Sequence, residues 1–471
     1  MSIVSRRVAL LVSGTLFMEI LDGTIISTAA PDIGRSLHVR AADVGVVITA
    51  YAVAVAVLIP VSGWLANRLG TRSVFLTAIA TFTVASGLCA LSRSLPVLVA
   101  FRVLQGAGGA LMVPVGRLVV LRDTAKRDLI RAIAFLTWPA LTAPVVAPLA
   151  GGLITTYLSW PWIFLINVPL GVAALPFAAA TIPQLRSPAA QLIDLSGFAQ
   201  TAGGLACLVL AISALGSTPT SWTFAGGAGL AAALLLATST RHLLRAAHPL
   251  LELDLLAIRT FRLPHFSGGT FRATVFAVPF VLPLMLQDAF GWTPVTAGAL
   301  VMSVFAGNLS IKPATTYLLN RWGFRSVITG SVSVVSLTMV GCAGLTASTP
   351  LAVMVVLLVI SGAARSVGFT AYGTLTFADV DQQRMTAANT LSATLQQLAG
   401  GLGVAVGALA LQLGTGLTGQ PATAVLPYRL TFITLALLTS TCLVEARRAG
   451  ADAGDHLRTP TRSPRPARPT R

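Results

Sequence analysis

Two carboxyl groups, Glu19 and Asp22, stand in FMEILDGTIISTAAPD (residues 17–32), inside a run otherwise built of apolar residues. Of the fifteen acids in the chain, these two lie well inside apolar runs, while Asp288 falls at the end of one. Three positions apart, they share roughly one face of a helix. An unpaired Asp at the centre of a membrane-spanning helix costs about 2.5–3.5 kcal/mol, so acids at that depth face a cavity or a partner and mark paths for ions or protons. Burial favours the neutral acid, and a nearby guanidinium favours the carboxylate. A carboxyl group held between the two influences exchanges its proton when water or substrate arrives. A plainer reading is a permanently paired Asp22 that only ties two helices together. For Glu19 both readings stay open.

Five cations also fall within apolar runs: Arg102, Arg117, Arg272, Lys312 and Arg365. Arg117 and Lys312 lie near helix ends and are expected to snorkel to the interface. Arg272 and Arg365 lie deeper. They are candidates to line a substrate cavity with Gln105, Asn308 and Tyr372, the alternative being hydrogen bonds to neighbouring backbone. Five positive charges against two negative argue for neutral, zwitterionic or anionic substrates over strongly cationic ones.

The elements that must hold these groups are membrane helices. The chain has 471 residues, 55% hydrophobic and only 10% charged, with a mean hydropathy of +0.82. A soluble chain carries about a quarter charged residues. Apolar runs of about 20 residues, the length that spans a bilayer as helix, recur along it. Fourteen helices are predicted, at 8–30, 44–66, 74–92, 96–121, 131–157, 162–182, 196–215, 222–240, 264–287, 294–316, 326–346, 351–375, 386–412 and 429–446. The first is read as uncleaved, because it is long and interrupted by acids. Cys89, Cys207, Cys342 and Cys442 fall one each in separate runs and suggest neither disulfides nor a metal site.

The net charge of +17 does not point to nucleic acid, because it is distributed by side. With the N-terminus inside, 23 of the 32 Lys and Arg residues fall in inner loops and tails, and only Arg35, Arg40, Arg93 and Arg429 lie outside. That asymmetry predicts both termini in the cytoplasm. The last residues, ending RTPTRSPRPARPTR, read as a disordered tail.

An internal repeat organises the helices. IPVSGWLANRLGTRSVF (59–75) and KPATTYLLNRWGFRSVI (312–328) agree at eight of seventeen positions at an offset of 253. PLAGGL (148–153) and QLAGGL (397–402) echo at an offset of 249. The shift is eight helices. It predicts an all-α polytopic membrane protein with an N-terminal six-helix bundle over 1–185, two inserted helices over 186–245, a C-terminal six-helix bundle over 246–446 and a tail over 447–471. Duplicated bundles with a cavity between them are a transporter layout. Counted along the helices, Asp22 lies about 21 Å from the start of the first, at a depth similar to Arg102, so the two can pair. The repeat also carries Glu19 onto Arg272, which predicts that these opposite charges face each other across the cavity.

The loop GWLANRLGTRSVF, with Gly63, Asn67, Arg68, Gly70 and Arg72, resembles the loop signature of the major facilitator superfamily. LDGTIISTAAPDI, FRVLQGAGGALMVPVGR with Arg102 and Gln105, APLAGG with Pro148, Gly151 and Gly152, and SWPWIFLINVPLG (159–171) resemble its fourteen-helix drug:proton antiporter branch, the EmrB/QacA-type exporters. The resemblance implies the major facilitator fold and proton-driven export of small amphipathic molecules by alternating access. It also implies a plasma-membrane location, a proton gradient in place of a cofactor, and a monomer. Coupling would then rest on Asp22, Glu19 and Arg102, and gating on the loop and APLAGG residues. Asn67 stands where the family usually has an acid, which weakens any charge latch there. Ala147 and Pro161 are further departures.

No Gly-x-x-x-x-Gly-Lys-Ser/Thr loop is present, so ATP-driven transport has no support. No His-Glu-x-x-His pair occurs either, and the five histidines scatter near loops. A non-transporting receptor or scaffold is the reading from another class. Within transporters the alternative is a dedicated exporter of a metabolite, an amino acid or a self-made antibiotic.

Overall fold

The computed structural model describes residues 3–39, 41–125, 128–186, 193–215, 221–421 and 423–448, with Gly454 and Leu457. The helices are α1 (Ile3–Ser36), α2 (Gly45–Leu58), α3 (Ser62–Leu69), α4 (Thr71–Ala90), α5 (Leu95–Asp123), α6 (Leu129–Tyr157), α7 (Trp162–Leu165), α8 (Asn167–Thr181), α9 (Leu195–Leu215), α10 (Trp222–Leu243), α11 (Arg259–Leu284), α12 (Pro294–Ser310), α13 (Lys312–Ala343), α14 (Leu351–Leu375), α15 (Met385–Thr418) and α16 (Val425–Arg448). Among the described residues, twelve spans are long and apolar enough to cross a membrane. The layout fits fourteen. A turn at Ile59–Val61 joins α2 to α3, α7 leads into α8, and α13 is two helices meeting at Gly323. The predicted helices thus recur with shifted ends, chiefly because α1, α11 and α15 run beyond their apolar stretches.

Helix contacts repeat between the halves. In the first, α1 packs on α6, α2 and α4 on α5, and α4 on α8; in the second, α11 packs on α15, α12 and α13 on α14, and α13 on α16. These are two pseudo-symmetric six-helix bundles. The repeated loop has a repeated backbone: Gly70 lies at φ 93°, ψ 147° and Gly323 at φ 76°, ψ 164°, a region almost confined to glycine. A second glycine pair obeys the same symmetry. A Cβ on Gly106 would stand 2.8 Å from the Tyr51 carbonyl oxygen, and one on Gly362 only 1.8 Å from that of Val304. Small residues here let helices approach backbone to backbone.

α9 and α10 pack on each other, and α9 also touches α2 and α15, one helix from each bundle. Thr49 on α2 and Ser213 on α9 share a hydrogen bond of 2.7 Å. Within the tail expected to be disordered, Leu457 is fully buried, and Gly454 lies against Phe324 and Leu375. The rest of the tail beyond Arg448 lies outside the described residues.

Candidate functional site

Asp22 sits on the inner face of α1, 1% exposed. Three side chains from two other helices donate to it. Arg102 Nη1 on α5 reaches Oδ2 at 2.5 Å. Gln105 Nε2, one turn along the same helix, reaches Oδ1 at 2.9 Å, and Asn167 Nδ2 at the start of α8 reaches Oδ1 at 2.8 Å. The spacing of Arg102 and Gln105 puts both on one face of α5. Arg102, itself fully buried, also donates to Gln105 Oε1 at 2.6 Å, and Gln105 Nε2 donates to Ser86 Oγ at 2.7 Å. A buried charge pair survives only where further hydrogen bonds satisfy it. Here the amides supply them, so α1, α4, α5 and α8 are tied through one carboxylate.

Tyr51 on α2 links the second acid to this site. Its hydroxyl donates to Glu19 Oε1 at 3.4 Å, and its ring lies 4.2 Å below the Arg102 guanidinium. Glu19 remains partly accessible, unlike Asp22. Gly109 makes room for this pair: a Cβ there would fall 2.7 Å from the Tyr51 hydroxyl and 3.3 Å from Glu19 Oε1.

The expected Asp22–Arg102 pair is present, with Gln105 in the same cluster. The expected facing of Glu19 and Arg272 is not found. Arg272 Nη2 instead donates to Gln396 Oε1 at 3.2 Å, and its guanidinium lies 4.9 Å from the Phe369 ring. Symmetry mates occupy equivalent places and need not touch. Two further expectations are corrected. Arg117 does not snorkel outward; it reaches across to Gln396 Oε1 at 3.5 Å. Lys312 is 7% exposed and donates to Thr370 Oγ1 at 2.9 Å.

The other candidate cavity residues are dispersed. Tyr372 shares a 2.8 Å hydrogen bond with Ser267 and stacks on Phe271 inside the C-terminal bundle. Asn308 is buried beside the Gly362 contact, and Arg365 is 3% exposed with its Nε unpartnered.

The gating residues divide in the same way. A Cβ on Gly63 would stand 2.1 Å from Thr390 Oγ1 of the other bundle, so Gly63 marks a close crossing. Gln184 bridges the chain around Gly70, donating to the Leu69 carbonyl at 3.0 Å and accepting from Ser73 N–H at 3.2 Å. Arg186 Nε also reaches Leu69 O, at 3.1 Å. Hydrogen bonds from Gln184 and Arg186, in the chain after α8, therefore hold the loop that lacks an acid at Asn67. Arg68 lies over the Trp64 ring at 5.7 Å, and Arg72 is exposed. Gly151 packs on α1, where a Cβ would meet Ile25 at 3.0 Å, whereas Gly152 faces open space. The side chain of Pro148 lies outside the described residues, as do those of Trp138, Pro139 and Pro144.

Asn167 went unnoticed as a site residue, although it stands alone as an amide in WIFLINVPLG. The signal was a polar side chain with no local partner in an apolar run. Ser86 is similar, a small hydroxyl with nothing in its neighbours to set it apart.

The bundles also meet near the ends that carry the arginine-rich loops. Asn389 Nδ2 donates to the Pro114 carbonyl at 2.8 Å, Gln382 Nε2 to the Arg122 carbonyl at 2.7 Å, and Arg122 Nη2 to Thr386 Oγ1. α5 and α15 are thereby joined on this side.

Over residues 12–404 and 265–463 the chain matches the family model described as Major Facilitator Superfamily. The chain belongs to the major facilitator superfamily. It is 38% identical over 400 residues to MdtD of Cronobacter sakazakii, a protein named for multidrug resistance, with 84% of each chain covered. It is 31% identical over 453 residues to HsrA of Haemophilus influenzae, named as a transport protein, covering 96% of this chain and 98% of that one. In fold it is similar to the human organic anion transporter MFSD10, with a TM-score of 0.68 at 14% identity over 94% of this chain and 99% of that one. The proton:xylose symporter XylE aligns with a TM-score of 0.63 at 13% identity, over 93% and 96% of the two chains. The protein is a multi-pass membrane transporter and not an enzyme.

Proposed function

We propose that this transporter is a proton-coupled exporter of small amphipathic molecules, working by alternating access in the plasma membrane with both termini in the cytoplasm. The observation that carries the reading is the buried Asp22 carboxylate with donors from Arg102, Gln105 and Asn167. Protonation would remove the charge that Arg102 neutralises and weaken the tie of α1 to α5. Glu19, partly accessible and joined through Tyr51 to Arg102, is the point at which a proton enters the cluster. In the predicted orientation, the α5–α15 contacts close the cytoplasmic side, which makes this the conformation for release outward. MdtD's name favours a polyspecific drug exporter. A dedicated exporter of one metabolite would use the same machinery.

The test is Asp22→Asn in inverted vesicles, reading substrate-dependent proton movement with and without an uncoupler. The variant is expected to fold and to lose gradient-driven export. Full gradient-driven export by the variant would end the proposal.

A further inference from the structure

Two guanidinium groups from different bundles converge on one amide. Arg272 Nη2 of α11 lies 3.2 Å and Arg117 Nη1 of α5 lies 3.5 Å from Gln396 Oε1 of α15. Side chains on a helix lean toward its N-terminus. α5 runs opposite to α11 and α15, so Arg117 and Arg272 lean toward each other. A guanidinium carries five N–H donors and always keeps its charge. One neutral oxygen therefore serves two cations, and among the described residues no carboxylate lies within ion-pair distance of either. Like charges this close in a membrane interior repel strongly unless an anion or water offsets them.

The surroundings suit a ligand. All three side chains stay partly accessible, while Arg102 is sealed. None of the free N–H groups of Arg117 and Arg272 is buried without a partner, in contrast to Arg102 Nη2 and Arg365 Nε. Apolar walls adjoin the charges. The Phe369 ring lies 4.9 Å and the Phe276 ring 5.9 Å from the Arg272 guanidinium, and Phe377 lies 5.2 Å from that of Arg117. Phe276 is 44% exposed and free to cover an apolar body.

We propose that Arg117 and Arg272 form an anion-binding site between the bundles, with Gln396 occupying it in the absence of ligand, and that the substrate is an organic anion with an apolar or aromatic body. Carboxylate or sulfonate oxygens take paired N–H bonds from guanidinium groups, which a neutral amide oxygen matches poorly. The anion joins α5 of one bundle to α11 of the other, so its binding favours the arrangement that brings the two arginines together. The inference rests on the export reading for the ligand's fate, though not for its binding.

The experiment is calorimetric titration of the full-length protein in lipid nanodiscs, without a gradient. The anionic probes are 4-phenylbutyrate and naphthalene-2-sulfonate; 4-phenylbutylamine and 4-phenylbutanol are the cationic and neutral matches. Both anions are expected to bind, and the amine and alcohol to bind at least about tenfold more weakly. Arg117→Gln and Arg272→Gln should each weaken anion binding by about tenfold or more. Gln396→Ala, which removes the competing oxygen, should tighten it. Melting temperature and monodispersity check folding, and Arg272→Lys, which keeps the charge, carries the test should Arg272→Gln misfold. Equal binding of the amine, indifference to both Gln variants, or failure of both anions to bind at millimolar concentration would overturn the site. Anion binding without proton-driven flux in proteoliposomes would keep the site and end the export reading. Proton-driven efflux of the amine by a protein that ignores both anions would do the reverse.

Discussion

The side-chain amide of Asn167 donates to Asp22 Oδ1 at 2.8 Å and so ties the start of α8 to the middle of α1. A hydrogen bond to a charged group contributes about 1.5–3 kcal/mol. Asn167→Ala removes that donor from a carboxylate that keeps Arg102 and Gln105. The variant is expected to fold with a lower melting temperature and to lose several-fold in gradient-driven transport. Thermal unfolding in detergent and flux in inverted vesicles read the two effects separately.

Arg102 and Asp22 are both sealed, so removing one strands the other. Truncating one partner of a buried ion pair costs about 3–5 kcal/mol. Arg102→Met should therefore destabilise the protein severely. Adding Asp22→Asn to it should recover much of the stability, because the stranded carboxylate is gone, without recovering proton-coupled flux. Thermal unfolding of the two single variants and the double variant measures the coupling, and purely additive losses would refute it.

Gly63 crosses Thr390 where the arginine-rich ends of the bundles meet. A methyl group on Gly63 would overlap Thr390 Oγ1, and overpacking a close contact costs about 1–3 kcal/mol. Gly63→Ala should therefore disfavour this closed arrangement and cut transport by about tenfold while the helices stay folded. Thr390→Ala removes the overlapping oxygen and should restore most of the flux. Labelling of a cysteine placed at Thr386 should rise in the single variant and fall back in the double.

Asp194, ahead of α9, accepts from Gly197 N–H at 2.8 Å, from His242 Nε2 at 2.8 Å and from Leu250 N–H at 3.4 Å. Burial pushes its carboxyl upward, but the Gly197, His242 and Leu250 donors outweigh it and hold the group below its ordinary value of 3.8. A depressed folded value contributes stability that is complete above the unfolded value and lost as pH falls through the folded one. The contribution should thus disappear below pH 3.8. Melting temperatures at descending pH should show the loss in the native chain, and Asp194→Asn should lack that step.

Much of the architecture was legible because membrane helices announce themselves by length and because a duplicated loop carries polar letters. Asn67, Arg68, Gly70 and Arg72 recur at Asn320, Arg321, Gly323 and Arg325, and both glycines adopt a backbone that side chains avoid. Asp22 and Arg102 could be paired from depth alone, since two buried opposite charges at one level have strong reason to meet. Asn167 escaped notice because a neutral amide costs less to bury than a charge and so leaves a fainter mark. Arg117 was misread for a related reason. Distance from a helix end says whether a long side chain can reach the headgroups, not whether a partner such as Gln396 waits in the other direction.

The lodging of α9 against both α2 and α15 makes the molecule lopsided toward the lipid. On that flank the seam between the bundles is shuttered by an extra helix, pinned to α2 by Thr49 and Ser213. On the opposite flank α6 packs directly on α12. An amphiphile dissolved among the acyl chains therefore meets the inserted helix on one flank of the seam and the direct packing of α6 on α12 on the other.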